Sequence, residues 1–246
     1  MRLAILSDIH GNLPALEAVL TDLDRRGLDQ IVNLGDNASG PLWPRETLAL
    51  LRERTAWIHI SGNHDRQLVR DAPESHGASD RYAYERLDAA DLAWLATLPS
   101  EARLEDLLFC HGIPGDDNRY LLEEVSGGAV RLARASAVSG LLGDQRENLV
   151  LCGHSHTPRI VRLDAATTVA NPGSVGLQAY EHDVPEPHVV EVGSPHARYL
   201  VLERQGKHWR FELVAVPYDH DAAAGQAARN GRPDWERALR TGLLRG

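Results

Sequence analysis

With 246 residues, 43% of them hydrophobic, the chain is long enough to bury a sizeable core within one large domain. A formal net charge of −9, with no Lys/Arg-rich run, argues against a nucleic-acid backbone as the main partner. No stretch nears the roughly 18–20 apolar residues that span a bilayer, and two cysteines are too few for a disulfide framework.

The opening MRLAILSD reads as a short apolar strand rather than a signal peptide, and Cys110 and Cys152 sit in apolar runs as buried free thiols; both features predict a cytoplasmic protein. The first strand covers 2–8. Asn12 caps the following helix, in which Pro14 occupies the first turn, Leu16, Val19, Leu20 and Leu23 recur at helical spacing and Gly27 ends the run. A second strand over 30–36 (QIVNLGD) precedes a helix over 45–54, and 56–65 (AWIHISGNHD) carries a third strand. A helix over 88–98, capped by Asp88 and stopped by Pro99, leads to strands at 104–112 (LEDLLFCHG) and 148–156 (NLVLCGHSH). The pattern near 119–142 between them reads as helical, interrupted at Gly127 and Gly128. Strands follow at 167–174, 197–204 and 208–216, the last two joined at Gln205-Gly206, and 233–244 closes as a helix. With no internal repeat or linker, this alternation predicts a single domain over 1–246, of layered α/β (α+β) architecture with mixed sheets.

What distinguishes the sequence is how its strands end. Five consecutive strands finish in Asp8-Ile9-His10, Gly35-Asp36, Gly62-Asn63-His64-Asp65, His111-Gly112 and Gly153-His154-Ser155-His156. Each piece alone is an ordinary turn or cap. Together they place carboxylate, imidazole and amide oxygen at the strand ends where layered α/β folds bind ligands. That thiolate-free set suits Mn, Fe, Zn, Co or Ni. Residues two apart on an extended segment share a face, with Cα atoms about 6.6 Å apart, and the ions of a two-metal hydrolytic site lie about 3.5–4 Å apart. His154 and His156 would then serve one ion each, and a carboxylate such as Asp36 would bridge them.

The five blocks, with NPGSVG at 171–176, VPYD at 216–219 and the terminal helix, resemble the calcineurin-like metallophosphoesterases, in particular their small bacterial and archaeal branch. The resemblance implies a four-layer αββα sandwich of two mixed sheets flanked by helices, with metals at one rim. It implies that Asp8, His10 and His156 bind one ion, that Asn63, His111 and His154 bind the other, and that Asp36 bridges them. His64 would be the catalytic residue, stabilising the transition state or protonating the leaving oxygen. The implied activity is hydrolysis of small phosphodiesters or phosphomonoesters, nucleotides among them, by in-line attack of a metal-bound hydroxide, with Mn²⁺ first among Mn²⁺, Zn²⁺, Fe²⁺, Ni²⁺ and Co²⁺ as cofactor.

Two features depart from the pattern. The protein serine/threonine phosphatases follow their Gly-Asp with a further Asp and an Arg, whereas this chain reads GDNASGPLWP, which disfavours that branch and leaves His64 without an identified partner. The stretch 177–196, LQAYEHDVPEPHVVEVGSPH, is several residues longer than the family pattern leads one to expect and reads as a solvated loop with incidental histidines at His182, His188 and His196; the sharper alternatives are a rim that restricts substrate or an oligomer contact. Arg119 reads as a surface arginine with substrate phosphate as its alternative partner, Trp43 as a candidate for stacking a nucleobase, and Trp57 and Trp94 as core. A protein-binding scaffold on the same fold and a nuclease are the competing functions. The complete ligand set and His64 disfavour the first, and the negative charge disfavours the second.

Overall fold

The computed structural model describes residues 1–145 and 147–244. The first half of the chain begins with β1 (Arg2–Leu6), α1 (Leu13–Leu23), β2 (Gln30–Asn33), α2 (Pro44–Arg52), β3 (Ile58–His59), α3 (Asn63–Arg70), α4 (Ala78–Tyr84) and α5 (Ala89–Thr97). It continues through β4 (Glu101–Leu104), β5 (Leu107–Cys110), β6 (Glu123–Ser126), β7 (Ala129–Leu132), α6 (Ala135–Leu142) and β8 (Leu149–Leu151). The remainder comprises β9 (Arg159–Arg162), β10 (Thr168–Asn171), β11 (Ala179–His182), β12 (His188–Glu191), β13 (Ala197–Gln205), β14 (His208–Val216), α7 (His220–Arg229) and α8 (Pro233–Thr241).

Two five-stranded mixed sheets, ordered β14-β13-β1-β2-β3 and β4-β5-β8-β10-β9, carry the fold. In each, three adjacent strands run parallel: β1-β2-β3, ending at the sheet edge in β3 with β13 and β14 antiparallel on the other side, and β5-β8-β10, flanked by antiparallel β4 and β9. Side-chain alternation sorts β1 cleanly. Leu3 and Ile5 join Leu107, Phe109, Leu149 and Leu151 between the sheets, while Ala4 and Leu6 face Leu16, Val19, Leu48 and Leu68 of the helices. Behind the second sheet, Leu108, Val150 and Val169 pack on Val138 and Leu142 of α6. The order of layers is therefore helix, sheet, sheet, helix, and the inner strands β1, β5 and β8 are apolar on both faces because both faces are covered.

Several helices follow their sequence signals. Asn12 accepts from the Ala15 N–H, and Asp88 closes a capping box with Asp91 at the start of α5. Cys110 and Cys152 are free and buried, while Trp57 and Trp94 pack against the core.

Three expectations are corrected. The stretch 119–142 is helical only in α6; residues 123–132 form the β6–β7 hairpin instead, closed by Gly127 and Gly128 with φ of 60° and 72°. Two consecutive positive φ values suit a two-residue hairpin loop, which glycine adopts freely, so the glycines reverse the chain rather than interrupt a helix. In 56–65 only Ile58–His59 pairs as a strand, because from Asn63 the chain already turns into α3. Residues 177–196 are not a solvated loop throughout: β11 and β12 pair from Ala179↔Glu191 to His182↔His188, and His188 is buried, while 183–187 at the tip are mostly exposed.

Candidate metal centre

The five strand-end blocks converge on one rim. Asp8, His10 and His156 present ligand atoms that all lie within 4.8 Å of one another, and so do Asp36, His111 and His154. Asn63 joins the second group, its Oδ1 lying 3.0 Å from His111 Nε2. The carboxylate of Asp36 stands between the groups, with Oδ2 3.2 Å from His111 Nε2 and 3.9 Å from His10 Nε2. All seven are buried.

His154 and His156 do fall into different groups, but not by lying on an extended segment. Their φ values are 64° and 53°, in the left-handed region, and Asp8, His10 and Asp36 share that conformation at 56°, 52° and 57°. Among the described residues only one other non-glycine, Glu105, has positive φ. The chain coils tightly as it leaves each strand, which aims these side chains inward over the sheet ends. Glycine admits the close approach at two points. A Cβ on Gly153 would lie 2.0 Å from Ser7 Oγ, and one on Gly62 would lie 2.2 Å from Asp36 Oδ1.

Backbone carbonyls fix the imidazole tautomers. Nδ1–H of His10 donates to Ser39 O at 2.8 Å, that of His111 to Leu34 O at 2.8 Å and that of His156 to Leu177 O at 2.7 Å. A carbonyl only accepts, so the proton of each neutral ring sits on Nδ1 and the Nε2 lone pair faces the rim. With both rings neutral, His10 Nε2 and His156 Nε2 confront each other at 3.2 Å as two acceptors, and His156 Nε2 lies 3.2 Å from Asp8 Oδ1. The ring of His154 is bonded to the Asn118 backbone, while its buried Nε2 has no partner, and neither has Asp8 Oδ1. Neutral rings that converge as acceptors, together with the buried orphan atoms, suit divalent cations.

The charges agree. Burial alone would raise Asp8 and Asp36, yet the surrounding imidazoles hold Asp8 at about 2 and Asp36 well below the carboxylate range. Burial and neighbouring imidazoles keep His10 at about 4 and His154 at about 3, so both are neutral and ready to ligate. His111, which burial would lower, is held up at about 10 by Asp36 and Asp8. The pull of these two carboxylates on its ring is the pull that they would exert on a cation at the same place.

His64 lies beside this cluster at the start of α3, its ring 5.6 Å from that of His10. Its Nδ1–H donates to Asp80 Oδ1 of α4 at 2.8 Å. Burial would lower its pKa, but Asp36 and Asp80 raise it to about 9. Asp80 is the partner that the sequence did not reveal. Asp65, the last residue of the GNHD block, accepts from the backbone N–H groups of Asp36, Asn37 and Gly62 at 2.9, 3.0 and 3.0 Å. It thereby locks the loop after β2 to the loop after β3. Ser155 holds the GHSH turn, accepting from Asn171 Nδ2 at 3.1 Å and bonding to Glu123.

A cavity of about 250 Å³ opens over the cluster, bordered by His10, Asp36, Asn63, His64, His154 and His156. Its walls come from elsewhere: Gln67 and Ser79 on α3 and α4, Tyr180 and His182 on β11, and Arg232 and Trp235 at the start of α8. The β11–β12 hairpin is tied down by the Tyr120 hydroxyl, which lies 2.8 Å from Tyr180 Oη and 2.9 Å from His188 Nε2, while Tyr180 donates to His154 O at 3.0 Å. Asn118 edges the cavity, whereas Arg119 is exposed and outside it. Trp43 packs against the apolar cluster under α7 and α8.

Fold and site together define a layered α/β protein with two adjoining candidate metal-ligand clusters at one rim of its paired sheets. The calcineurin-like phosphoesterase superfamily domain matches residues 1–194, and the chain belongs to that family. Over 249 aligned residues it is 26% identical to the uncharacterised protein MJ0912 of Methanocaldococcus jannaschii, covering 95% of this chain and 94% of that one. The metallophosphoesterase from Sphaerobacter thermophilus has a similar structure, with a TM-score of 0.75, 26% identity and 99% of each chain covered. The hypothetical protein PH1004 from Pyrococcus horikoshii OT3 shares the fold at the same TM-score and coverage with 18% identity.

Proposed function

We propose that the protein is a dinuclear metal-dependent phosphoesterase that hydrolyses small phosphomonoesters or phosphodiesters. The observation that carries the reading is the pair of Nε2 lone pairs, His10 and His156, facing each other at 3.2 Å with their protons fixed elsewhere. Asp8, His10 and His156 would hold one ion and Asn63, His111 and His154 the other, with Asp36 shared, as the two ligand groups and the position of Asp36 support. The donor set suits Mn²⁺ first, then Zn²⁺, Fe²⁺, Ni²⁺ or Co²⁺. When bound, such ions supply Lewis-acid charge for a phosphoryl oxygen and a nucleophile at neutral pH.

The chain's own residues do the rest. His64, kept protonated near neutral pH by Asp36 and Asp80, donates to the leaving oxygen, and Asp80 keeps its ring turned toward the cavity. Ser39, Leu34 and Leu177 orient the ligating rings through their carbonyls. The β11–β12 hairpin and α8 narrow the opening to small substrates, which argues against a nuclease, and the presence of His64 argues against a mere scaffold. Because α8 borders the same cavity as the early strand ends, the chain works as one domain. Its buried free thiols suit the cytoplasm.

A panel of aryl and alkyl phosphoesters run with Mn²⁺, Zn²⁺, Ni²⁺ and Mg²⁺ tests this. Turnover with Mn²⁺ that chelator abolishes, and that His64→Ala and Asp36→Asn largely remove, is expected. Full activity in excess chelator or in both variants would overturn the mechanism.

A further inference from the structure

Arg232 is the one arginine or lysine bordering the cavity among the described residues, and it comes from the start of α8, beyond residue 194 where the family match ends. Its guanidinium is fixed on two sides. Nε and Nη2 donate to Asp234 Oδ1 and Oδ2 at 3.0 and 2.6 Å, and Nη1 donates to Ser79 Oγ at 2.8 Å. Of the five N–H groups of an arginine these bonds use three, which leaves one on Nη1 and one on Nη2. Asp234 borders the cavity beside Arg232, and so does Glu181; Arg232 is only 21% exposed, and its two remaining N–H groups are the donors it has left for a ligand in that cavity.

The side of the cavity is also defined. Ser79, which braces Arg232, precedes Asp80, which orients His64, on the same turn of α4. Arg232 and His64 are thus tied to adjacent residues and flank the same part of the cavity, where His64 meets the leaving oxygen. A planar fork with two free donors, pre-set by a carboxylate and a hydroxyl, matches a carboxylate or a phosphate group and loses little freedom on binding it.

We infer that Arg232 is a specificity residue that binds a second anionic group carried on the leaving-group side of the substrate, so that the preferred substrates are small phosphoesters whose alcohol bears a carboxylate or a further phosphate. The inference rests on the phosphoesterase reading for its chemistry, but its test is one of binding and requires no turnover. Calorimetry on the Mn²⁺-loaded protein compares size-matched phosphonates: 3-phosphonopropionate against propylphosphonate, 4-phosphonobenzoate against 4-methylphenylphosphonate, and propane-1,3-diphosphonate against propylphosphonate. Charge-assisted bonds to the fork predict that the doubly anionic member of at least one pair binds about tenfold more tightly or better. Arg232→Gln should collapse that ratio toward unity, and Arg232→Lys should keep part of it. The carboxylate and diphosphonate arms separate the two sources of anion.

The absence of a preference in every pair overturns the inference. So does a preference that persists in Arg232→Gln, or an equal weakening of both members, which is what a bracing role through Ser79 alone would give. Failure of the wild-type protein to hydrolyse phenyl phosphate with any metal would instead count against the phosphoesterase reading.

Discussion

His64 and Asp80 face each other across 2.8 Å, one at the start of α3 and the other on α4, so a carboxylate from outside every strand-end block sets the direction of the imidazole. Without it the ring loses both its orientation and part of the charge that keeps it protonated. Asp80→Asn should lower kcat by about tenfold to a hundredfold, the usual effect of removing such a partner. Metal content by mass spectrometry should stay unchanged. Equal kcat in variant and wild type would show that His64 acts without Asp80.

The two ligand groups predict a stoichiometry. The wild-type protein should bind about two Mn²⁺ per chain, the ligand count of a two-metal site. His156→Ala and His111→Ala should each retain one, because each removes a donor from a different group. Loss of both ions in either variant would mean that the groups form a single unit rather than two.

Gly153→Ala tests the crowding behind the GHSH turn. A Cβ there would meet Ser7 Oγ at 2.0 Å and Asp8 Oδ2 at 3.0 Å, both on fully buried side chains, so one of them must shift. The expected cost is about 1–3 kcal/mol of stability by denaturant unfolding, as for other overpacked sites, accompanied by weaker metal binding. Wild-type stability would show that the turn relaxes freely.

The Tyr120 hydroxyl is one of the hairpin's anchors. Tyr120→Phe removes a partner of both Tyr180 Oη and His188 Nε2, and leaves the buried Nε2 unsatisfied while Nδ1 keeps its bond to Glu186 O. A loss of about 1–3 kcal/mol is expected. Faster proteolysis within 179–191 would locate the damage in the hairpin, whereas cleavage elsewhere would contradict this anchoring.

On the far side of the first sheet, Asp22 accepts from the Tyr199 hydroxyl and from Arg26 Nε. Burial would raise its pKa, but these donors more than offset it and hold the group below the ordinary value of 3.8. A carboxylate depressed by folding contributes its full stabilisation above that ordinary value and loses it as pH falls through the folded one. Asp22→Asn should therefore be less stable than wild type in urea at pH 7, and the gap should narrow below about pH 4. A gap that does not change with pH would assign the effect to packing.

How much of this was legible in the sequence depends on the distance over which each feature acts. The strand ends could be read because Asp8, Asp36, His111 and His154 directly follow apolar runs, so pattern and chemistry lie side by side. Asp80 and Arg232 could not. They sit 16 and 168 residues from His64, in stretches whose composition is that of any helix start, and only the packing of α4 and α8 brings them to the cavity. The hairpins were hidden in other ways. Gly127-Gly128 carried a turn signal that the neighbouring apolar spacing masked, and the prolines of 181–196 disguised a paired segment that Tyr120, far off in sequence, helps to anchor.

The left-handed backbone at Asp8, His10, Asp36, His154 and His156 has a consequence for engineering. Each such residue costs roughly 1 kcal/mol relative to glycine, so the fold is under tension where its chemistry is concentrated. Replacing Asp36 by glycine should then give a sturdier inert protein than replacing it by alanine. Selection for thermal endurance alone would erode this centre first, and the surviving variants would be more rigid and inactive.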